Sequence, residues 1–409
     1  MSTTEPEVLA RRPPFSLADL HALGRLGFDS VAGITTLVEE MHRNIARFSP
    51  PLGAAPQGRA PGISGLVYSA VRGITRGVGG AWNLAQVGLP GSKPRLDPRR
   101  EAWIAALNGI WGEHLAATGN PLAIGMAFRD HGQPIDLDAD AMRARYGTGR
   151  RKLLLLIHGL CMSDLNWKRH AHDHGRMLAE TLGYTPLYLS YNTGRRISDN
   201  GRELAALLDR LVAAWPGPID EIALLCHSMG GLVARSACHC AEAAGLSWRA
   251  RLKRIAFLGT PHHGAPLERA GSLLDMAIEL SPYLAPFARL GKSRSAGIKD
   301  LRHGNLVDAD WSAARDGSPH DHRHQLPLPA GVHCHAVAAS RQHAPAGEVK
   351  RLRSDGLVPV ASALGRHEKR GRHLGFAAAD VRIEFDCNHF ELLSNAAVGR
   401  QLREWFAAS

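Results

Sequence analysis

A serine at position 228 stands where a short apolar run, Glu221 to Cys226, passes through His227-Ser228-Met229-Gly230-Gly231 into Leu232-Val233-Ala234-Arg235-Ser236. The spacing predicts a strand, a sharp turn and a helix, with a hydroxyl at the bend. A serine hydroxyl becomes a nucleophile when a base takes its proton and donors await the oxyanion; a tight turn exposes the oxygen to both. Gly230 and Gly231 leave room for the helix behind the turn, and the backbone N–H of Met229, at the helix start, points toward a developing negative charge. The pattern is G-x-S-x-G with Cys226 in place of the first glycine. The same residues also describe a plain strand-to-helix turn, so the partners have to be sought elsewhere in the chain.

The elements that would position such partners begin near Arg151. Leu153 to His158, Thr185 to Ser190, Glu221 to Cys226, Leu252 to Leu258, Val332 to Ala338 and Val381 to Phe385 are apolar runs of strand length, with helical stretches such as Ile197 to Trp215 and Leu232 to Ala244 between them. Alternating strands and helices specify an α/β fold with a mostly parallel central sheet and helices on both faces. Ligands of such sheets bind beyond the carboxyl ends of the strands. Those ends read His158-Gly159-Leu160-Cys161, Ser228, Gly259-Thr260-Pro261-His262-His263-Gly264, Ser354-Asp355-Gly356-Leu357-Val358-Pro359 and Asp386-Cys387-Asn388-His389-Phe390-Glu391. They supply a serine, an aspartate and a histidine in that chain order.

With these pieces in place, the chain resembles the α/β-hydrolase superfamily, and within it bacterial lipases and GPI inositol-deacylase-like esterases, over roughly residues 150 to 409. The resemblance implies an α/β-hydrolase fold with Ser228 as nucleophile, His389 as general base and then acid, and Asp355 as the carboxylate that orients the imidazole. It implies an oxyanion hole from the backbone N–H groups of Leu160 and Met229. His158 and Gly159 then shape the oxyanion loop rather than transfer protons.

Other residues compete for these roles, because the chain has 22 histidines. His262 and His263 lie at a strand end near the expected pocket, and Glu384 and Asp386 lie at the end of the last strand. His170-Ala171-His172-Asp173-His174 is one residue short of the H-x-H-x-D-H spacing of binuclear hydrolases, and reads as a loop or first helical turn. His320-Asp321-His322-Arg323-His324 and Cys238-His239-Cys240 read as structure rather than metal sites. Glu391 matches one ligand of the calcium some bacterial lipases hold, with no second acidic residue at the matching upstream place. No metal and no cofactor is expected.

With 409 residues, 44% of them hydrophobic and 21% charged, the chain is ordinary globular material with room for more than one core. The domains expected are an N-terminal helical extension over 1–120 and a hydrolase domain over 121–409, the latter with a lid-like insertion at about 265–330. The insertion carries apolar Leu273, Leu274, Met276, Ile278, Leu280 and Leu284 and no evident strand. Upstream of the first sheet strand, residues 102 to 118 suggest a helix, and Ala123 to Phe128 with Pro134 to Leu137 a hairpin around Arg129-Asp130-His131-Gly132-Gln133.

Two apolar segments occupy the extension. Val31, Ile34, Leu37, Val38, Met41 and Ile45 keep helical spacing until Ser49-Pro50-Pro51. Ile63 to Leu89 keeps it too, but with five glycines between 65 and 80 and with Arg72 and Arg76. Two central arginines make a bilayer span expensive, which leaves a helix docked on the main domain or an interfacial helix at a lipid surface. The formal charge of +11 comes mostly from arginines spread along the chain, which reads as solvated surface charge with no nucleic-acid partner. Six cysteines without framework spacing, and an acidic polar start with no apolar signal core, predict a cytoplasmic protein with possible peripheral membrane contact through residues 63–89.

The function expected is cleavage of small-molecule or lipid carboxylic esters through an acyl-enzyme. An acyltransferase using the same three residues, or a silent binding protein that retains the fold, are the alternatives. Sequence leaves oligomeric state open.

Overall fold

The computed structural model describes Asp19, Ala22, Gly24 and residues 97–130, 132–265, 295–312, 323–344, 352 and 354–408. The apolar segments at 31–45 and 63–89 and the run at 273–284 lie outside the described residues. The strands are β1 (Ala127–Asp130), β2 (Gln133–Pro134), β3 (Lys152–Ile157), β4 (Thr185–Ser190), β5 (Glu221–His227), β6 (Leu252–Leu258), β7 (His333–Ser340) and β8 (Val381–Phe385). The helices are α1 (Pro98–Ala117), α2 (Ala139–Tyr146), α3 (His174–Leu182), α4 (Ile197–Ala214), α5 (Met229–Ala244), α6 (Ala296–His303), α7 (Asp308–Ser312), α8 (Val360–Ala363) and α9 (Ala396–Ala407).

The chain divides into two compact units, Met1–Arg100 with Ala117–Leu122, and Glu101–Ala116 with Ala123–Ser409. In the first, Arg100 holds the buried Asp19 through two hydrogen bonds of 2.6 and 2.8 Å, and Asn120 donates to the Ala22 carbonyl. The second contains the sheet, in the order β2-β1-β4-β3-β5-β6-β7-β8. β1 pairs antiparallel with β2 and β4, and every pairing from β4 to β8 is parallel. Leu153 to Ile157 and Ile222 to Cys226 are fully buried, the continuous apolar runs expected of strands covered on both faces.

The order explains where a site can form. From β3 the chain moves outward to β4, then returns past β3 to β5 and continues to β6. Right-handed crossovers in opposite directions put α3 on one face and α4 and α5 on the other. Accordingly α4 packs on α5 and α3 on α9. The reversal opens a crevice between the carboxyl ends of β3 and β5, the position at which open α/β sheets bind ligands. At the opposite end, Glu221 accepts from Tyr184 and Arg254 at 2.6 and 2.8 Å and staples three strand starts together. Among the described residues no helix is long and apolar enough to cross a membrane.

Two expectations shift in detail. The N-terminal hairpin is tighter, because Arg129 and Asp130 pair with Pro134 and Gln133 instead of forming its loop, and Ile135 N donates to Phe128 O at 2.8 Å. Helix α5 begins at Met229, three residues before the apolar pattern announces it.

Candidate active site

Strand β5 delivers Ser228 to the crevice. Its φ of 53° and ψ of −124° are unusual for a residue with a Cβ, and the surroundings hold it there: Ser228 N donates to Leu258 O at 2.8 Å, and Gly231 N donates back to Ser228 O at 3.1 Å. Gly230 is required behind the turn, since a Cβ there would lie 2.3 Å from the Ile157 carbonyl oxygen. Cys226 fits two residues earlier as a fully buried thiol, which burial keeps well above the usual thiol pKa and therefore neutral.

The loop after β3 closes on the serine from the neighbouring strand. At Gly159 a Cβ would stand 2.9 Å from the Ser228 Cβ, so only glycine allows this approach. Leu160 and Met229 are buried, and their N–H groups make no hydrogen bond among the described residues. Buried unpaired backbone donors are rare in folded chains. His158 is fully buried, donates from Nδ1 to Gly159 O at 2.9 Å and stacks on Tyr191, whose hydroxyl donates to His158 O at 2.8 Å. Burial lowers its pKa to about 4, so it stays neutral and acts as a wedge under the loop.

Asp355 and His389 arrive from loops after β7 and β8. Asp355 Oδ2 lies 2.6 Å from His389 Nδ1, while Oδ1 accepts from the N–H groups of Leu357 and Val358 at 2.9 and 2.7 Å. An ionised carboxylate only accepts, so Nδ1 carries the proton and Nε2 presents a lone pair. A second link runs from His389 N to Asp355 O at 3.2 Å. Ser228 and His389 line one narrow cavity with Leu160, Met162, Leu301 and Val358. No direct hydrogen bond joins Ser228 Oγ to His389 among the described residues, and such nucleophile–base pairs commonly tighten only around substrate.

The competing residues have other partners. His262 is buried against Phe257 and Phe376, 3.5 Å from the Arg235 guanidinium, and burial first, then Arg235, hold it well below the usual imidazole pKa. His263 packs edge-on to His367. Glu384 accepts from Arg382, and Asp386 pairs with His343. Glu391 accepts from Asn388 N, while Asn388 Oδ1 accepts from Phe390 N and Glu391 N, which folds the turn carrying His389. In the histidine-rich loop, His172 donates to His174 Nδ1 at 2.8 Å and His174 donates to Leu392 O at 3.0 Å, bracing the same turn.

One supporting residue escaped sequence reasoning. His227 Nε2 donates to the His389 carbonyl at 3.0 Å with the rings 4.7 Å apart, so the residue before the serine buttresses the loop that carries the histidine. Its side chain reaches a loop 162 positions later, and nothing local in the sequence signals that contact.

Residues 150–335 match the model of the PGAP1-like alpha/beta domain. The chain has an α/β-hydrolase fold. No curated protein matches it. The chain is similar to the mature lipase of Bacillus licheniformis at 18% identity, over 64% of this chain and 94% of that one, with a TM-score of 0.40. It is similar to the hyperthermophilic esterase of the archaeon Pyrobaculum calidifontis at 15% identity, over 82% and 96%, with a TM-score of 0.40. Lipase B of Aspergillus fumigatus shares 13% identity over 66% and 57%, with a TM-score of 0.35. In this hydrolase fold Leu160, Ser228 and His389 line one cavity.

Proposed function

We propose that the protein is a serine carboxylic-ester hydrolase in which Ser228 is the nucleophile, His389 the base and acid, and Asp355 the orienting carboxylate. The observation that carries this reading is the 2.6 Å bond from His389 to Asp355, which fixes the imidazole tautomer beside a serine held at positive φ. His389 Nε2 takes the Ser228 proton as Oγ attacks the ester carbonyl. The carbonyl oxygen becomes an oxyanion that accepts from Leu160 N–H and Met229 N–H. Collapse breaks the ester C–O bond, and His389 returns its proton to the leaving alcohol. Water, deprotonated by the same imidazole, then cleaves the acyl-enzyme and regenerates Ser228.

Replacing Ser228 with alanine is expected to lower turnover of a short nitrophenyl ester by about 10³ to 10⁶. Wild-type turnover in Ser228→Ala refutes the assignment. Lipid esters as the physiological class rest on the apolar residues of the 265–330 interval and of 63–89. A rate profile across acyl lengths, with and without an oil–water interface, measures that preference: a maximum at short, soluble esters with no gain at the interface contradicts it.

A further inference from the structure

Helix α1 lies ahead of every strand in the chain, yet its residues Glu101–Ala116 belong to the sheet-containing unit. Two of its glycines show what it packs against. A Cβ on Gly109 would lie 2.2 Å from Cys161 Sγ in the oxyanion loop, and one on Gly112 would lie 1.8 Å from Asn192 Oδ1 in the loop after β4. Glycine weakens a helix interior, and here the weakening admits two loops to the helix surface. Hydrogen bonds fasten the contact. Asn192 Nδ2 donates to Gly112 O at 2.9 Å, and at the start of α6 Ser295 Oγ donates to Gly109 O at 2.7 Å and Ala296 N to Glu113 Oε2 at 3.2 Å.

Cys161 is the contact closest to the chemistry. It is the third residue of a turn closed by Met162 N donating to Gly159 O at 3.3 Å, and Leu160 is the second. Its φ of 59° is a value that favours glycine or asparagine in such a turn. A residue with a Cβ keeps that backbone where its surroundings over-determine it. Those surroundings are α1 and the loop after β4: Cys161 N donates to Thr193 Oγ1 at 3.2 Å, and the buried thiol lies 3.9 Å from Ala106 O in the notch left by Gly109. Burial pushes the thiol pKa up to about 12, so the group stays neutral and acts through its size.

We propose that Cys161, seated on Gly109, is a positioning residue for the oxyanion hole, its thiol holding the turn that aims Leu160 N–H; the role rests on the ester-hydrolase reading above. Helix α1 is then a working part of the active site. An oxyanion donor acts as negative charge develops, so displacing it slows turnover without weakening substrate binding. In Gly109→Ala a methyl group competes for the place of the thiol, in Cys161→Ala the notch is left empty, and in the double variant one group replaces the other. With the full chain, well below each thermal midpoint, Gly109→Ala is expected to lower kcat at least about tenfold and Cys161→Ala about threefold or more, with KM little changed. The double variant is expected to be more active than either single variant, a non-additivity that only contacting residues show.

A trifluoromethyl ketone separates positioning from a plain folding defect. Ser228 Oγ adds to its carbonyl carbon, the hydroxyl proton passes to His389, and the carbonyl electron pair becomes an oxyanion in the hole. Its Ki does not depend on the fraction of folded enzyme, and is expected to rise in each single variant in step with the fall in kcat/KM and to recover in the double variant. Wild-type kcat in the single variants, a loss of kcat at unchanged Ki, or a double variant no more active than the weaker single variant overturns the positioning role. Should Gly109→Ala fail to fold, kcat and Ki of Cys161→Ala decide by the same criteria. A wild type that cleaves no ester overturns the hydrolase reading and this role together, whereas unaltered variants of an active wild type overturn the role alone.

Discussion

Asp355 commits both carboxylate oxygens: one to the N–H groups of Leu357 and Val358, the other to His389. Asparagine at 355 keeps the first set but turns an amide toward Nδ1, and an amide donor there selects the wrong imidazole tautomer. Asp355→Asn is therefore expected to lower kcat by about 10⁴ while leaving the thermal midpoint close to that of the wild type, measured by ester turnover and calorimetry. A loss of tenfold or less would mean that the carboxylate merely folds its own turn. The places of these residues beyond strand ends were legible in the sequence, because Ser228 and His389 come just after apolar runs of strand length and Asp355 lies in the stretch that follows Val332 to Ala338. The contribution of His227 was not, since its partner is fixed by a loop contact that only the closed sheet brings about.

At the scale of elements, the site depends on how closely the loop after β3 can approach the turn after β5. A methyl group on Gly159 would meet the Ser228 Cβ at 2.9 Å and His227 Nδ1 at 3.1 Å, so the loop must retreat and carry Leu160 N–H with it. Gly159→Ala is expected to cost about 1–3 kcal/mol of stability and at least about tenfold in kcat, the rate loss exceeding any change in KM. Denaturant titration and steady-state kinetics check both; an unchanged kcat would remove Leu160 from the oxyanion role. Strands were readable because burial on both faces leaves unbroken apolar runs such as Leu153 to Ile157. The start of α5 was not, because Gly230 and Gly231 carry no helix signal and are retained for the close approach of Ile157 O and the Thr260 side chain. The final stretch from Glu391 reads as one helix, but Asn395 accepts from Ala397 N and Val398 N and starts α9 afresh after a short turn.

At the scale of the whole molecule, buried neutral histidines tie stability to pH. Burial lowers the pKa of both His158 and His174 to about 4. In the unfolded chain each takes up a proton near the ordinary value of about 6.5. Below that value the unfolded state binds more protons, so stability is full above about 6.5 and is lost as pH falls toward 4, by up to about 1.4 kcal/mol per pH unit for each histidine. The thermal midpoint is expected to fall from pH 7 to pH 5, and His174→Gln, which can still donate to Leu392 O, is expected to flatten that slope. A midpoint that stays level in the wild type contradicts the neutral assignment. The mostly parallel sheet, with ligands bound beyond its carboxyl strand ends, followed from alternating strands and helices, while the strand order came only with the folded sheet.

The central claim is that Ser228 is a nucleophile activated by His389. Labelling of the full chain with a fluorophosphonate, read by intact mass and peptide mapping, tests it most directly. One adduct per chain is expected, located on Ser228 and absent from both Ser228→Ala and His389→Ala. An unmodified wild type under conditions that label a known serine hydrolase, or an adduct on another residue, would contradict it.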